Sequence, residues 1–269
     1  MSLERLLLRV FLLAFAFPTL AQQSSTPTAP LQPTRDAQAV TVVQQSIMAM
    51  GGAAALGQVQ NSVITATIVN PAVQESAPQG TTESFTWTYA GSEFRLEDSG
   101  TTGAHVLVSS GGSPQDYHDG AWYVSPISVR TNLPYHVPAL ALFGETQNSG
   151  YSFVFIGSTT INGKTATHIQ TRDDSDATGH LFTPQDWYFD PATALPLRVE
   201  YQIPMSLNPS DSYRASMDFS NFQAVSGILI PFQLSIAEGP VSMTSMVTSA
   251  TFNTAVNSSV FAPSTGGAQ

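Results

Sequence analysis

Four stretches of this 269-residue chain alternate apolar and polar side chains with a period of two. In TESFTWTY, Phe85, Trp87 and Tyr89 fall on one side of an extended backbone, and Ser84, Thr86 and Thr88 on the other. LPLRVEYQI sets Leu195, Leu197, Val199, Tyr201 and Ile203 against Arg198, Glu200 and Gln202. SYRASMDFS and ILIPFQLSI repeat the pattern with Tyr213, Ala215, Met217 and Phe219, and with Ile228, Ile230, Phe232, Leu234 and Ile236. Such alternation marks antiparallel strands with one buried and one wet face. Turn signals divide the chain into about ten or eleven such strands, Asn162-Gly163 being the strongest of them.

Helical spacing is credible mainly near the start. Asp36 is a fair N-cap, Ala39, Val43, Ile47 and Met50 share a helical face, and Gly51-Gly52 stop the run. AAALGQV can add a second short helix, and LPYHVPALALFGE (133–145) a third or a lid-like loop. Ten strands spaced at about 4.8 Å span roughly 48 Å. A helix is only about 10–12 Å wide. So few helices cannot cover a flat apolar face of that width, and an uncovered face would be an interaction or aggregation surface. The sheet must curl around its helices, close into a barrel or fold into a sandwich. The helix at the N-terminus favours a curled shell whose incompletely filled interior is a cavity.

Charge narrows the partners. Charged residues make up only 10% of the chain, so Ser, Thr, Asn and Gln must supply the wet faces, as suits strands better than surface helices. The net charge is −10 with a single lysine, which leaves no counterion-releasing surface for nucleic acid. The absence of cysteine excludes disulfides, thiolate metal sites and cysteine nucleophiles. Residues 1–21 read as a cleavable signal peptide: MSLERLLLR is basic, VFLLAFAF is apolar but far too short to span a bilayer, and Pro18 and TLA follow. Residues 22–35 are expected to form a disordered Pro/Ser/Thr/Gln-rich linker, 36–262 a single domain, and 263–269 a flexible tail. The mature chain is expected to be exported, periplasmic or alternatively extracellular, monomeric and not membrane-spanning.

A colinear series of motifs then resembles the periplasmic lipoprotein carriers and outer-membrane lipoprotein-sorting proteins of the LolA/LolB-like superfamily. SEFRLED (92–98), YHDGAWYV, INGKTATHI, DWYFDPATALPLRVEY, MDFSNFQAVSGILIPFQLSI and the closing NSSVFAP follow one another in the family's order. The resemblance runs from about Ala39 to Pro263, with Ala194 in place of a turn glycine and Ser226 where an acidic residue is common. It implies a mainly β (α+β) fold: a half-open barrel with one to three helices in its mouth and an interior that takes acyl chains or other apolar ligands. It also implies that Arg95 holds the helical lid through backbone carbonyls. The residues themselves equally allow a surface pair with Glu93 or Glu97.

Candidate cavity-lining residues are Phe85, Trp87, Tyr89, Phe94, Trp122, Phe153, Phe155, Trp187, Phe189, Phe219 and Phe232, against the plainer reading that most are core. Asp174, Asp176 and Thr178 open like a calcium loop, but Gln185 stands where the bidentate Glu belongs, so a solvated acidic loop is the better reading. His168 is expected to be exposed. No paired histidines, nucleophile elbow or phosphate loop occurs, so neither a cofactor nor an enzymatic activity is expected. The functions left are a binding protein for a lipid or other apolar ligand, a filled envelope scaffold that docks partner proteins, and a hydrolase with a dispersed site.

Overall fold

The computed structural model describes residues 31–69, 82–100, 103–110, 115–118, 121–124, 136–204, 208 and 210–263. The signal segment, the linker before residue 31 and the tail after 263 lie outside them. Two meanders build the sheet. The first runs through β1 (Asn61–Val69), β2 (Thr82–Ala90), β3 (Glu93–Gly100), β4 (Gly103–Ser109), β5 (Gln115–His118) and β6 (Ala121–Val124). The second runs through β7 (Tyr151–Ile161), β8 (Lys164–Asp173), β9 (Gln185–Phe189), β10 (Pro196–Pro204), β11 (Ser212–Val225), β12 (Ile228–Glu238) and β13 (Val241–Phe252).

β13 pairs with β1, so among the described residues the two meanders become the arms of one sheet of thirteen strands, antiparallel throughout, whose ends are β6 and β7. β5 and β6 have only four residues each; the other eleven are the longer strands that the alternation announces. The sheet does not close on itself and is the expected half-open barrel.

Among the described residues four α-helices accompany it: α1 (Ala37–Ala49), α2 (Gly52–Leu56), α3 (Pro138–Gln147) and α4 (Ala177–Phe182). α1 starts where Asp36 accepts the Gln38 amide at 2.8 Å and buries Ala39, Val43 and Ile47. It ends at Gly51, whose φ of +133° suits glycine, and the Met50 carbonyl accepts the Leu229 amide at the start of β12. α1, α2 and α3 pack on one another, α1 on β7, and α2 and α3 on β12, so these three fill one side of the sheet, called here the inner face. Ahead of α1, residues 34–36 pair in parallel with Phe153 at the β7 edge. The Arg35 guanidinium lies 4.8 Å from the Phe153 ring and donates to the Thr146 and Asn148 carbonyls at the end of α3, where a cation is favoured.

α4 falls where the sequence suggests a solvated acidic loop, and this corrects that reading. Asp176 caps α4 through the Gly179 amide at 2.8 Å. Asp174 is 3% exposed and is bonded by Arg172, Ser152 Oγ and His180 Nδ1. His168 is likewise not exposed: Asp186 holds it at 2.8 Å and the Tyr188 ring stacks on it. A bulge between Pro196 and Arg198 breaks the alternation at Leu197, so Pro196 rather than Leu197 stands opposite Phe189.

Candidate ligand-binding interior

Cross-strand partners in an antiparallel ladder share a face. The register therefore assigns the inner face residue by residue. Across the second arm it carries Phe153, Phe155, Ile169, Trp187, Val199, Met217, Phe219 and Leu234. Across the first it carries Ile64, Ala66, Phe85, Trp87, Tyr89, Phe94 and Leu96. Nine of the eleven aromatic candidates join one apolar cluster with the helices; Phe94 and Trp122 stand apart from it. Phe94 keeps to the inner face, 6.4 Å from the Tyr89 ring. Trp122 pairs with Tyr117, which lies opposite Val106 on the outer face.

The nine differ in cover. Phe153, Trp187 and Phe189 are fully buried, and the Trp187 and Phe219 rings stack at 6.1 Å. These are core: each buried large side chain stabilises the fold by about 1.5–3 kcal/mol. Phe85, Tyr89, Phe155 and Phe232 belong to the same cluster but remain partly exposed. Trp87 is covered by the His136 ring at 3.7 Å, and burial lowers the pKa of that histidine to about 3, keeping it neutral.

Buried polar groups interrupt this apolar interior. Glu145 of α3 is 2% exposed, and burial raises its pKa to about 8. Thr171 and Gln185 lie near enough to offset part of that rise, yet neither carboxyl oxygen makes a hydrogen bond of ordinary geometry. Ser46, Ser62, Thr171 and Ser245 also bury hydroxyls without partners. Charge is thus rare inside and plentiful outside. On the outer face Arg198 grips Asp218 through two bonds of 2.6 and 2.7 Å, and Glu200 accepts from Arg214 and Tyr188.

Arg95 also faces outward. It does bond a backbone carbonyl, that of Val260 at 3.0 Å in the terminal 3-10 turn (Ser258–Phe261), and it pairs with Glu97. That turn ends a strap, residues 254–262, which crosses the outer face of β1–β3. Asn61 ties its start through reciprocal bonds with Thr254, and buried Phe261 anchors its end. Beneath it lies a cavity of about 370 Å³, lined by Val63, Thr88, Arg95, Glu97, Val256 and Val260 among others.

Of the weak metal set, Asp174 is already taken. Burial works to raise its pKa, but bonds from Arg172, Ser152 and His180 prevail and hold it at about 2. Among the described residues no group of three His, Asp or Glu side chains is arranged to hold a metal. The Ser152–Asp174–His180 cluster places the aspartate between serine and histidine, so the hydroxyl donates to a carboxylate and not to an imidazole base. Ser152 Oγ also accepts the Thr34 amide at 2.8 Å, which makes the cluster a fastening for the N-terminal segment.

A half-open β shell with a helical filling defines a class of protein, and solved structures supply its members. The chain is similar to a LolA superfamily protein from Nitrosomonas europaea (10% identity, TM-score 0.55, covering 84% of this chain and 97% of that one). It is similar to a domain assigned to outer-membrane lipoprotein sorting from Vibrio parahaemolyticus (15% identity, TM-score 0.51, 83% and 96%). A DUF1329 family protein from Desulfovibrio piger is comparable (13% identity, TM-score 0.50, 83% and 97%). No protein-family model matches the chain, and no curated protein matches it in sequence. The fold is that of the LolA superfamily and of lipoprotein-sorting proteins. No described helix is long and apolar enough to cross a membrane.

Proposed function

We propose that this chain is an exported, non-catalytic, monomeric binding protein of the envelope that holds a lipid, an acyl chain or another apolar molecule inside its half-open shell. One observation carries the reading. Phe85, Tyr89, Phe155 and Phe232 are continuous with the sealed core yet keep accessible surface on the inner face, as the lining of a binding recess does. The likeness to lipoprotein-sorting folds supports the same reading. The placing of Asp174 between Ser152 and His180 speaks against a serine hydrolase.

The test is to isolate the protein from its native cells without detergent and extract it for lipid mass spectrometry. One apolar molecule per chain is expected. Phe155→Glu should lower the yield several-fold, while Met48→Glu on the exposed side of α1 should not. A chain that carries nothing sinks the reading. The complete burial of Phe153, Trp187 and Phe189 favours a second reading, a scaffold with a filled core. Crosslinking in intact cells that returns no envelope partner counts against it.

A further inference from the structure

Among the described residues the ionisable side chains of the interior are carboxylic acids, tyrosines and two histidines, His105 and His136, the latter kept neutral by burial. Arg95, Arg172, Arg198 and Arg214 take outer-face positions in the ladders. Arg35 lies at the β7 edge and Lys164 at a hairpin. Among the described residues this leaves the inner face with no lysine or arginine, while Glu83, Asp98 and Glu238 take inner-face positions and Glu145 is buried in α3.

Three tyrosines gather around Glu238. Tyr201 on β10 stands opposite Ala215 on β11, which stands opposite Glu238 on β12. Tyr213 is two residues from Ala215 on the same face, and its ring lies against Gly239, where an added Cβ would come within 3.5 Å of the ring. Tyr89 takes an inner-face position on β2, in the other arm. It is near enough that its charge, like those of Glu238 and Tyr213, bears on the Tyr201 hydroxyl. All four groups keep some accessible surface, yet burial raises the pKa of every one. The Glu238 carboxyl has neither a hydrogen bond nor an ion pair with a described residue.

We propose that Tyr89, Tyr201, Tyr213 and Glu238 form a cage for an alkylammonium group, so that the amphiphile held by the shell enters with an ammonium head. Tyrosine faces attract a cation through the ring quadrupole, and most strongly where water is excluded. A carboxylate that lacks a partner gains one from the same cation. An anionic head would meet the Glu238 carboxyl with no lysine or arginine on the described inner face to offset it. The apolar chain attached to the head rests on the function proposed above; the cage itself does not.

Two titrations separate them. Tetramethylammonium chloride, with sodium chloride as control, tests the head alone. Saturable shifts of the Tyr89, Tyr201 and Tyr213 ring signals are expected in NMR spectra, weakened about tenfold by Glu238→Gln. Tyr201→Leu should also weaken binding, whereas Tyr201→Phe, which keeps the ring face, should retain it. No saturable shift in the unmodified protein, or an unchanged affinity in Glu238→Gln, overturns the cage. The second titration compares dodecyltrimethylammonium, dodecanol and dodecanoate. The first should bind about tenfold tighter than the others. Equal binding of all three overturns the cage and leaves the apolar-ligand reading standing. Binding of tetramethylammonium without binding of any dodecyl chain upholds the cage and removes that reading.

Discussion

Glu145 links the chemistry of one side chain to the stability of the whole fold. Burial raises its pKa from the ordinary carboxylate range to about 8, so the folded chain holds a proton that the unfolded chain releases above about pH 4.5. The native state binds more protons across that window, and stability falls as pH rises through it. His136, lowered to about 3, acts in the opposite sense between about pH 3 and 6.5. Comparison of variant with parent cancels that contribution. Glu145→Met removes the buried acid and its unpaired oxygens together. The variant is expected to be about 2–4 kcal/mol more stable than the parent at pH 8 and nearly equal to it at pH 5, as read from urea melts at the two pH values. Equal differences at both pH values would show that Glu145 does not titrate in the folded state. The sequence gives little warning of this residue: a Glu in a short helix ordinarily reads as surface. Ala194 was easier to single out. The family resemblance expects a turn glycine at this position, and its φ of +59° lies in the left-handed region that favours glycine.

At the scale of elements, local pattern and tertiary packing divide the explanation. α1 was legible because its cap, its apolar spacing and its stop are all local, and the structure keeps each of them. The strands were legible for the same reason, and the outward Arg198 and Glu200 follow directly from the alternation. Neither the partner of Arg95 nor the grouping around Glu238 could be read in this way. Val260 is 165 residues from Arg95, and the four cage residues come from four different strands. Register unites them, and no short stretch of sequence encodes it. The junction of α1 with the β11–β12 turn is equally non-local. A Cβ on Gly51 would sit 2.8 Å from the Gly227 carbonyl, at a φ of +133°. Gly51→Ala is therefore expected to cost about 2–4 kcal/mol, from clash and backbone strain together. Gly144→Ala, in α3 with open space around it, should instead gain up to about 1 kcal/mol. Both are checked by the midpoint of chemical denaturation, and a shift of the same sign in both variants would refute the packing argument.

On the scale of the whole molecule, the pairing of β1 with β13 governs assembly. The first and last strands are neighbours at the centre of the sheet, so the arms cannot join until the end of the chain is available. Contacts this distant in sequence slow folding, because the loop they close must be ordered first. Deleting residues 241–263 removes β13 and the strap, and exposes both β1 and β12 as apolar central edges. The shortened chain is expected to lose its near-ultraviolet circular dichroism and to aggregate. A truncated chain that stays monomeric with native spectra would show instead that each arm folds by itself.

The same seam has a mechanical side. The start of β1 lies beside the end of β13, with Ser62 opposite Phe252. A pull on the two ends of the chain first loads two fastenings, residues 34–36 at the β7 edge and the strap at Arg95. Once these yield and α1 and α2 are drawn off α3, β7 and β12, the force falls on one end of the β1–β13 ladder and breaks its hydrogen bonds one after another, as a zip opens, and not all at once in shear. Tension at the termini would thus part the sheet down its middle and lay the inner face open while each arm remained paired within itself.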